Sequence, residues 1–214
     1  MKKAVIVGAG PIDKDFTLSK KKDVFYAACD GGYRLFLRSG FEPDLFVGDF
    51  DTLGKEELKD VKAKVVLPVK KDDTDTFYTV KMLLEKRYDS FDFYGCLGGK
   101  IDHTFANVSL LLYLLNHGAK GYLFSENNQI VVHMIQNSCI RLKPKKSGMI
   151  SVFSYNGNCE GVSEEHLLYE LHDQELRADI PLGISNQLIG EEAVISVRKG
   201  TLLLVLEKDS YYES

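Results

Sequence analysis

The sequence predicts an α/β protein followed by a smaller all-β region: a mostly parallel sheet with flanking helices, then a compact antiparallel β-domain. Three observations carry this. From Lys3 to Ile135, short apolar runs ending in glycine- or aspartate-bearing turns alternate with helix-like segments, the pattern of a sheet covered by helices. After Gln136-Asn137-Ser138 the helical pattern stops, and strand-like runs follow one another between turn signals. The 214 residues suffice for one large domain or two small ones, with the break expected between residues 1–136 and 137–214.

Lys3 to Val7 reads as the first strand, ending in Gly8-Ala9-Gly10-Pro11. Gly-x-Gly can bring backbone N–H groups to a phosphate. Pro11 and Asp13-Lys14-Asp15 do not complete a dinucleotide fingerprint, so a ligand contact and a plain tight turn both stay open. Val24 to Cys29 is the second strand and runs into Asp30-Gly31-Gly32, whose glycines permit close approach of a ligand to backbone. Asp30 either caps the following helix or faces that ligand. Tyr33 to Arg38 reads as that helix, closed by Ser39-Gly40. Leu45-Phe46-Val47 ends a third strand, Gly54 to Asp60 is a polar helix or turn, and Val65 to Val69 is a strand.

Asp75 to Lys86 is a helix with Phe77, Val80, Leu83 and Leu84 on one face and Asp73 or Thr74 as N-cap. Phe91 to Tyr94 is a further strand, leading into Gly95-Cys96-Leu97-Gly98-Gly99-Lys100-Ile101-Asp102-His103. The helix after it, His103 to His117, is apolar on nearly every side and is therefore expected to be buried, its N-terminus opening outward. Gly121 to Glu126 and Gln129 to Ile135 are strands joined by a hairpin-like turn at Asn127-Asn128. This amounts to five strand–helix alternations.

The all-β region contains strand-like runs at Ile140 to Leu142, Met149 to Tyr155, Leu167 to Leu171, Ala193 to Val197 and Leu202 to Leu206. Asn156-Gly157-Asn158 and Lys199-Gly200 are its turn signals, indicating a sandwich or a barrel. So small a unit is expected to pack on the first domain or on a partner subunit. Within it, Leu182-Gly183-Ile184-Ser185-Asn186-Gln187 is polar and glycine-bearing between apolar runs. Its Ser and Asn can read a heterocycle edge, or the stretch is an ordinary turn. The tail from Asp209 to Ser214 reads as frayed.

Hydrophobic residues at 44% and charged residues at 27% are ordinary for a globular protein, and a net charge of −4 argues against a nucleic-acid binder. Lys20 to Lys22 and Lys143 to Lys146 read as solvated loops. Cys29, Cys96, Cys139 and Cys159 form no C-x-x-C pair, which disfavours a zinc or redox motif, and the first two sit in apolar runs as core thiols. Ala4 to Val7 is too short for a signal peptide and no stretch suggests a membrane span, so a cytoplasmic protein is expected.

The chemistry centres on Gly48-Asp49-Phe50-Asp51-Thr52, directly after the third strand. Ligands of open α/β sheets bind beyond the carboxyl ends of the strands. An Asp-x-Asp pair there offers hard oxygen donors suited to Mg²⁺ with a phosphate ligand. Asp30, Asp72 to Asp75 and Asp102 follow other strands in the same way, and Lys70-Lys71 stands beside the second group. These carboxylates are expected to converge on one metal and nucleotide site.

Taken together in order, Asp30-Gly31-Gly32, Gly48 to Thr52, Asp72 to Asp75, Gly98 to His103 with Asn107, and Ile184-Ser185-Asn186 resemble the thiamine pyrophosphokinase family. The resemblance spans nearly the whole chain. It implies a Rossmann-like nucleotide domain followed by a β-sandwich that binds the vitamin, in a homodimer with active sites between subunits. It implies Mg²⁺-dependent transfer of pyrophosphate from ATP to thiamine, giving thiamine diphosphate and AMP. Carried over by motif, Asp49, Asp51 and Asp75 are the metal carboxylates, with Asp72 and Asp102 completing the catalytic set. Asp30, Gly31, Gly98, Lys100, Asp102 and His103 meet ATP. Ser185 and Asn186 of the other subunit, with Asp75, meet thiamine. Two other readings compete: another Mg²⁺-dependent nucleotide kinase or hydrolase, and a non-catalytic thiamine or nucleotide sensor. Thr52 stands where the family often has Ser, Lys100 where Arg is common, and the chain has no Trp, so any aromatic contact to thiamine falls to Tyr or Phe.

Overall fold

A computed structural model describes residues 1–48, 63–66 and 73–211. The chain divides into two compact units, Met1–Asn128 and Gln129–Ser214.

In the first unit, β1 (Lys3–Val7), β2 (Val24–Cys29), β3 (Leu45–Gly48), β4 (Lys64–Val66), β5 (Ser90–Tyr94) and β6 (Lys120–Phe124) are parallel and lie in the order β6-β5-β1-β2-β3-β4. Strands with both faces covered read as continuous apolar runs, and Ala4, Ile6, Val7, Phe46, Phe91, Phe93 and Leu123 are all inaccessible to solvent. The sheet grows one way from β1 through β2 to β4, then returns to the other side of β1 with β5. The gap between the carboxyl ends of β1 and β5 is therefore a topological switch point.

Three helices flank these strands among the described residues: α1 (Tyr33–Ser39), α2 (Asp75–Glu85) and α3 (Ile101–Asn116). Residues 8–23 join β1 to β2 without a helix. Gly40 ends α1 in the left-handed conformation, φ 74°, its N–H bonded to the Leu37 carbonyl. Thr74, one of two expected caps, accepts the Phe77 N–H at 3.1 Å and starts α2.

α3 corrects its expectation twice. It begins at Ile101 rather than His103, and only Leu110, Leu111 and Leu114, in its second half, are fully buried. Ile101 and Phe105 are 74% and 66% exposed. The apolar composition of the first half is not used for the core of this unit. The second half packs on β6 because Gly121 leaves room: a Cβ there would lie 2.6 Å from Leu114 Cδ1. Asn128, at φ 56°, closes a turn onto the Ser125 carbonyl as Asn127-Asn128 suggested. The expected helix or turn from Gly54 to Asp60 and the end of the Val65 to Val69 strand lie outside the described residues.

The second unit is built from β7 (Ile130–Gln136), β8 (Cys139–Leu142), β9 (Met149–Glu165), β10 (Leu171–Leu176), β11 (Asn186–Gln187) and β12 (Ala193–Glu207), all antiparallel. β7 pairs along its length with β12, so the compact units divide at Asn128–Gln129, ahead of the expected break at 136–137.

The two expected turns are bends within long strands. Residues 193–197 and 202–206 are one strand, because Gly200 at φ 118° forms a bulge where the register shifts between Lys199 and Thr201. Asn156 (φ 60°) and Gly157 (φ 126°) bend β9 likewise, extending it from Met149 to Glu165. The first half of β12 lies between β8 and the second half of β9, which also carries β10. The second half lies between β7 and the first half of β9, which carries β11. Two long strands folded at two glycine bends thus generate the two layers of a sandwich. Ile150, Val152, Val162, Ile195, Leu202, Leu204 and Leu206 form its core.

The run expected as a strand at Leu167 to Leu171 becomes β10 only from Leu171; Leu167 makes a single bridge to Leu188. The tail is not frayed through Tyr211: Ser210 is buried, its carbonyl accepts the Lys143 N–H, and Tyr211 bridges to Leu142. Lys145 leaves its solvated loop to pair with Glu207 at 2.8 Å and Asp209 at 2.6 Å. Gly200→Val places a branched side chain at positive φ, where even a Cβ meets Cys159 Sγ at 2.7 Å. A loss of about 2–3 kcal/mol in urea unfolding is expected, and an unchanged midpoint would contradict the bulge.

Candidate active site

The switch point holds a cleft of about 460 Å³. Its floor is glycine backbone. The Gly8 N–H bonds to the Tyr94 carbonyl and the Gly10 N–H to the Gly95 carbonyl, both at 2.8 Å. A Cβ on Gly8 or Gly10 would lie 2.7 or 2.6 Å from the Gly95 oxygen, so no larger residue fits. The Gly8-Ala9-Gly10-Pro11 turn, left open by the sequence, lines the cleft.

Asp30-Gly31-Gly32 forms a single 3₁₀ turn between β2 and α1. A Cβ on Gly32 would lie 2.1 Å from the Val7 carbonyl oxygen, so the turn can sit over the end of β1 only with glycine there. Asp30 takes φ 46°, a strained conformation for a residue with a side chain. Its Oδ1 lies where a Cβ on Gly48 would come within 2.1 Å, at the end of β3 immediately before Asp49. Asp30 is not the cap of α1, whose N-cap is Gly32; its carboxylate points to the end of β3, where the Asp-x-Asp stretch begins.

Asp75 opens α2 and lies near the same place. Burial holds the Cys29 thiol far above its ordinary pKa, and Cys96, Asp75 and Asp30 add to the upward push, opposed by a hydrogen bond with Thr79. Burial likewise lifts the Cys96 thiol to about 12 against hydrogen bonds from the Gly8 backbone and Thr76. Both thiols stay protonated and neutral, leaving the carboxylates of Asp30 and Asp75 as the hard donors around Cys29. Such oxygen donors fit Mg²⁺. Asp73 is occupied differently, in an ion pair with Lys81 Nζ.

Beyond β5, Gly98 and Gly99 both take left-handed conformations, φ 78° and 68°. Thr104 Oγ1 accepts the Gly98 N–H at 3.1 Å, and Asn107 Nδ2 donates to the Cys96 carbonyl at 2.8 Å, so α3 holds the loop in place. Lys100 and His103 line the cleft from this side and are exposed. Asp102 is exposed at the first turn of α3, its Oδ1 accepting the His103 N–H at 2.9 Å. Thr74, Thr76 and Cys96 also line the cleft, and sequence reasoning did not single them out as site residues; their signal was position after a strand or at a helix start.

The first unit thus brings Asp30, Lys100 and His103 to one cleft, with Asp75 nearby. Asp49, Asp51 and Asp72 lie outside the described residues.

In the second unit, Ser185 is exposed at φ 56°, its N–H bonded to Ser151 Oγ at 3.1 Å. Asn186 is buried and engaged internally. Its Nδ2 donates to Glu164 Oε2 at 2.8 Å and to the Tyr169 carbonyl at 2.6 Å, and its Oδ1 accepts the Tyr169 and Gln187 N–H groups at 3.0 and 2.9 Å. Glu164 is inaccessible to solvent, and its Oε1 has no hydrogen-bond partner among the described residues. No local pattern marks this buried acid, which stands in the charged pair Glu164-Glu165.

The comparisons with known proteins agree with this geometry. Residues 16–123 match the family described as thiamin pyrophosphokinase, catalytic domain, and residues 137–202 match thiamin pyrophosphokinase, vitamin B1 binding domain. The chain belongs to the thiamin pyrophosphokinase family. It is accordingly an enzyme, a thiamine diphosphokinase, which transfers pyrophosphate from ATP to thiamine. Thiamine pyrophosphokinase of Bacillus subtilis is 26% identical over 215 residues, covering 98% of this chain and all of that one. The crystal structure of the B. subtilis protein superposes with a TM-score of 0.84 at 24% identity, over 97% of this chain and 100% of that one. Thiamin pyrophosphokinase from Candida albicans shares the fold at 12% identity, TM-score 0.78, over 97% and 90% of the two chains.

Glu164 gives this enzyme a pH signature. Burial lifts its pKa from 4.5 to about 7, opposed by the hydrogen bond from Asn186. The folded state then holds the proton more tightly than the unfolded state, so stability is full below pH 4.5 and falls as pH rises through 7. Glu164→Gln keeps the acceptor for Asn186 and cannot ionise. Its melting temperature should exceed that of the unsubstituted protein by several degrees at pH 8, with the gap shrinking toward pH 5 in calorimetry. A gap independent of pH would contradict a buried neutral acid.

Proposed function

We propose that this chain performs the reaction with Mg²⁺, in a site completed by two subunits of a homodimer. The observation that carries the reading is the glycine-floored cleft with Asp30 aimed at the start of the Asp-x-Asp stretch and Asp75 beside it. Asp49, Asp51 and Asp75 hold the metal. Bound there, it offsets the repulsion between the aspartates and the ATP phosphates and polarises the phosphorus under attack.

The chain's own groups then position the reactants, which is most of what a protein contributes to phosphoryl transfer. Asp30 and Gly31, the Gly98 loop and His103 bind the nucleotide, with Lys100 set against phosphate charge. The primary hydroxyl of thiamine attacks the β-phosphorus, the bond from that phosphorus to the AMP oxygen breaks, and the hydroxyl proton passes to Asp72 or Asp102. Thiamine is cationic, so the acidic crevice also favours its approach. Ser185 of the other subunit meets its pyrimidine ring, and Asn186 supports that contact from inside the β-unit.

We place the enzyme in the cytoplasm, without nucleic-acid or membrane partners. The four free cysteines suit a reducing compartment, the net charge is −4, and no helix among the described residues is long and apolar enough to cross a membrane.

Two tests address the metal site. Removing divalent metal with EDTA should abolish formation of thiamine diphosphate, and Mg²⁺ should restore it; turnover undiminished in EDTA would overturn the metal dependence. Asp75→Asn should lower kcat at least about a hundredfold, on the scale of losing one electrostatic group at a transition state, with unchanged circular dichroism. Normal activity would remove Asp75 from the site.

A further inference from the structure

One buried carboxyl stands behind the whole Gly183–Asn186 segment. Gly183 and Asn186 are buried, while Ile184 and Ser185 between them are exposed. Both oxygens of Glu164 lie against the buried side. Oε2 accepts from Asn186 Nδ2 at 2.8 Å, and Oε1 lies 3.0 Å from where a Cβ on Gly183 would stand. The same Cβ would be 2.7 Å from the Val152 oxygen, so only glycine leaves room for the carboxyl there. The first half of β9 holds the segment from its other flank. The Val152 N–H bonds to the Gly183 carbonyl at 2.7 Å, and the Ser185 N–H to Ser151 Oγ at 3.1 Å. Between these two supports Ser185 keeps φ 56°, a conformation that persists only where the surroundings impose it.

Among the described residues no cation faces Glu164. Its partners in register, Ile195 of β12 and Leu171 of β10, are apolar, and Gly183 and Asn186 bring no charge. Only burial and the Asn186 bond shift its ionisation. The charged groups that follow it in the chain, Glu165, His166 and Glu170, form a separate exposed set. There the His166 N–H bonds to Glu170 Oε1, and His166 Nδ1 meets the Glu192 carbonyl. An ionised Glu164 would hold a buried charge against a single amide hydrogen bond, which is costly. Both of its oxygens lie against the segment, so the charge is relieved by moving the segment or admitting water beneath it. We propose that protonated Glu164 is a positioning residue for thiamine recognition, and that loss of its proton releases the Gly183–Asn186 segment and weakens thiamine binding. This rests on the reading that the Ser185 segment meets thiamine.

The test is steady-state kinetics on the full-length enzyme with Mg²⁺, varying thiamine and ATP separately. The range is pH 6 to pH 8, either side of the Glu164 pKa of about 7. Across it the protonated fraction falls about tenfold, and the KM for thiamine should rise by about that factor. The KM for ATP should not follow it. Glu164→Gln keeps the acceptor for Asn186 and cannot ionise, so it should remove the rise. A level thiamine KM in the unsubstituted enzyme overturns the inference without any variant, and is what a purely structural Glu164 would give. A rise that persists in Glu164→Gln assigns the titration to another group and overturns it equally. Ser185→Ala at pH 6 separates the inference from its premise. If it raises the thiamine KM while the pH dependence is absent, the segment meets thiamine and only the role of Glu164 fails. If it leaves the thiamine KM unchanged, the segment does not meet thiamine and both fail.

Discussion

The close meeting of two glycine turns, Gly8 to Gly10 after β1 and Gly95 after β5, is the contact on which the rest of the first unit depends. Their backbones hydrogen-bond across a gap that would not admit a single Cβ. That contact fixes the switch point, and the switch point decides where a ligand can approach the sheet. Gly32 repeats the device one strand away, lying on the Val7 carbonyl so that Asp30 is carried over the end of β1 and toward β3. Backbone packing at these glycines sets where Asp30 stands over the strand ends.

The thiols in this region add to the electrostatics by remaining neutral. Cys29 and Cys96 are buried among the strand ends, and the nearby carboxylates make ionising Cys29 harder still. Neutral thiols at these strand ends add no charge of their own to the carboxylates of Asp30 and Asp75. The second unit follows another logic. Its two long strands bend at glycines, and between its layers lies a carboxyl whose main contact is the amide of Asn186. The first unit orders backbone to place charge; the second buries an acid to order backbone.

Much of this was legible in the sequence. The parallel strands appear as continuous apolar runs, and the aspartates stand after them, because a strand buried on both faces and a ligand at its carboxyl end each leave a local mark. Thr74 was readable as a cap for the same reason. The misreadings arose where local pattern and tertiary use diverge. Gly200 and Asn156-Gly157 carry the composition of turns, yet ladder pairing on both sides keeps the strands running through them. Phe105 reads as a core residue of its helix but is exposed, since apolar composition does not tell what covers a face. Asn186 looked like a surface recognition group and is instead bonded inward, because Glu164, 22 positions away, could be placed beside it only by the fold.

In the proposed reaction the acidic cleft directs attack to the β-phosphorus of ATP, so that two phosphoryl groups move together. The most direct measurement follows ATP labelled at its β-phosphorus through a reaction with thiamine and Mg²⁺. The label should appear in thiamine diphosphate, with unlabelled AMP as the other product. Label retained in ADP, with thiamine monophosphate formed, would mean attack at the γ-phosphorus and would contradict the account.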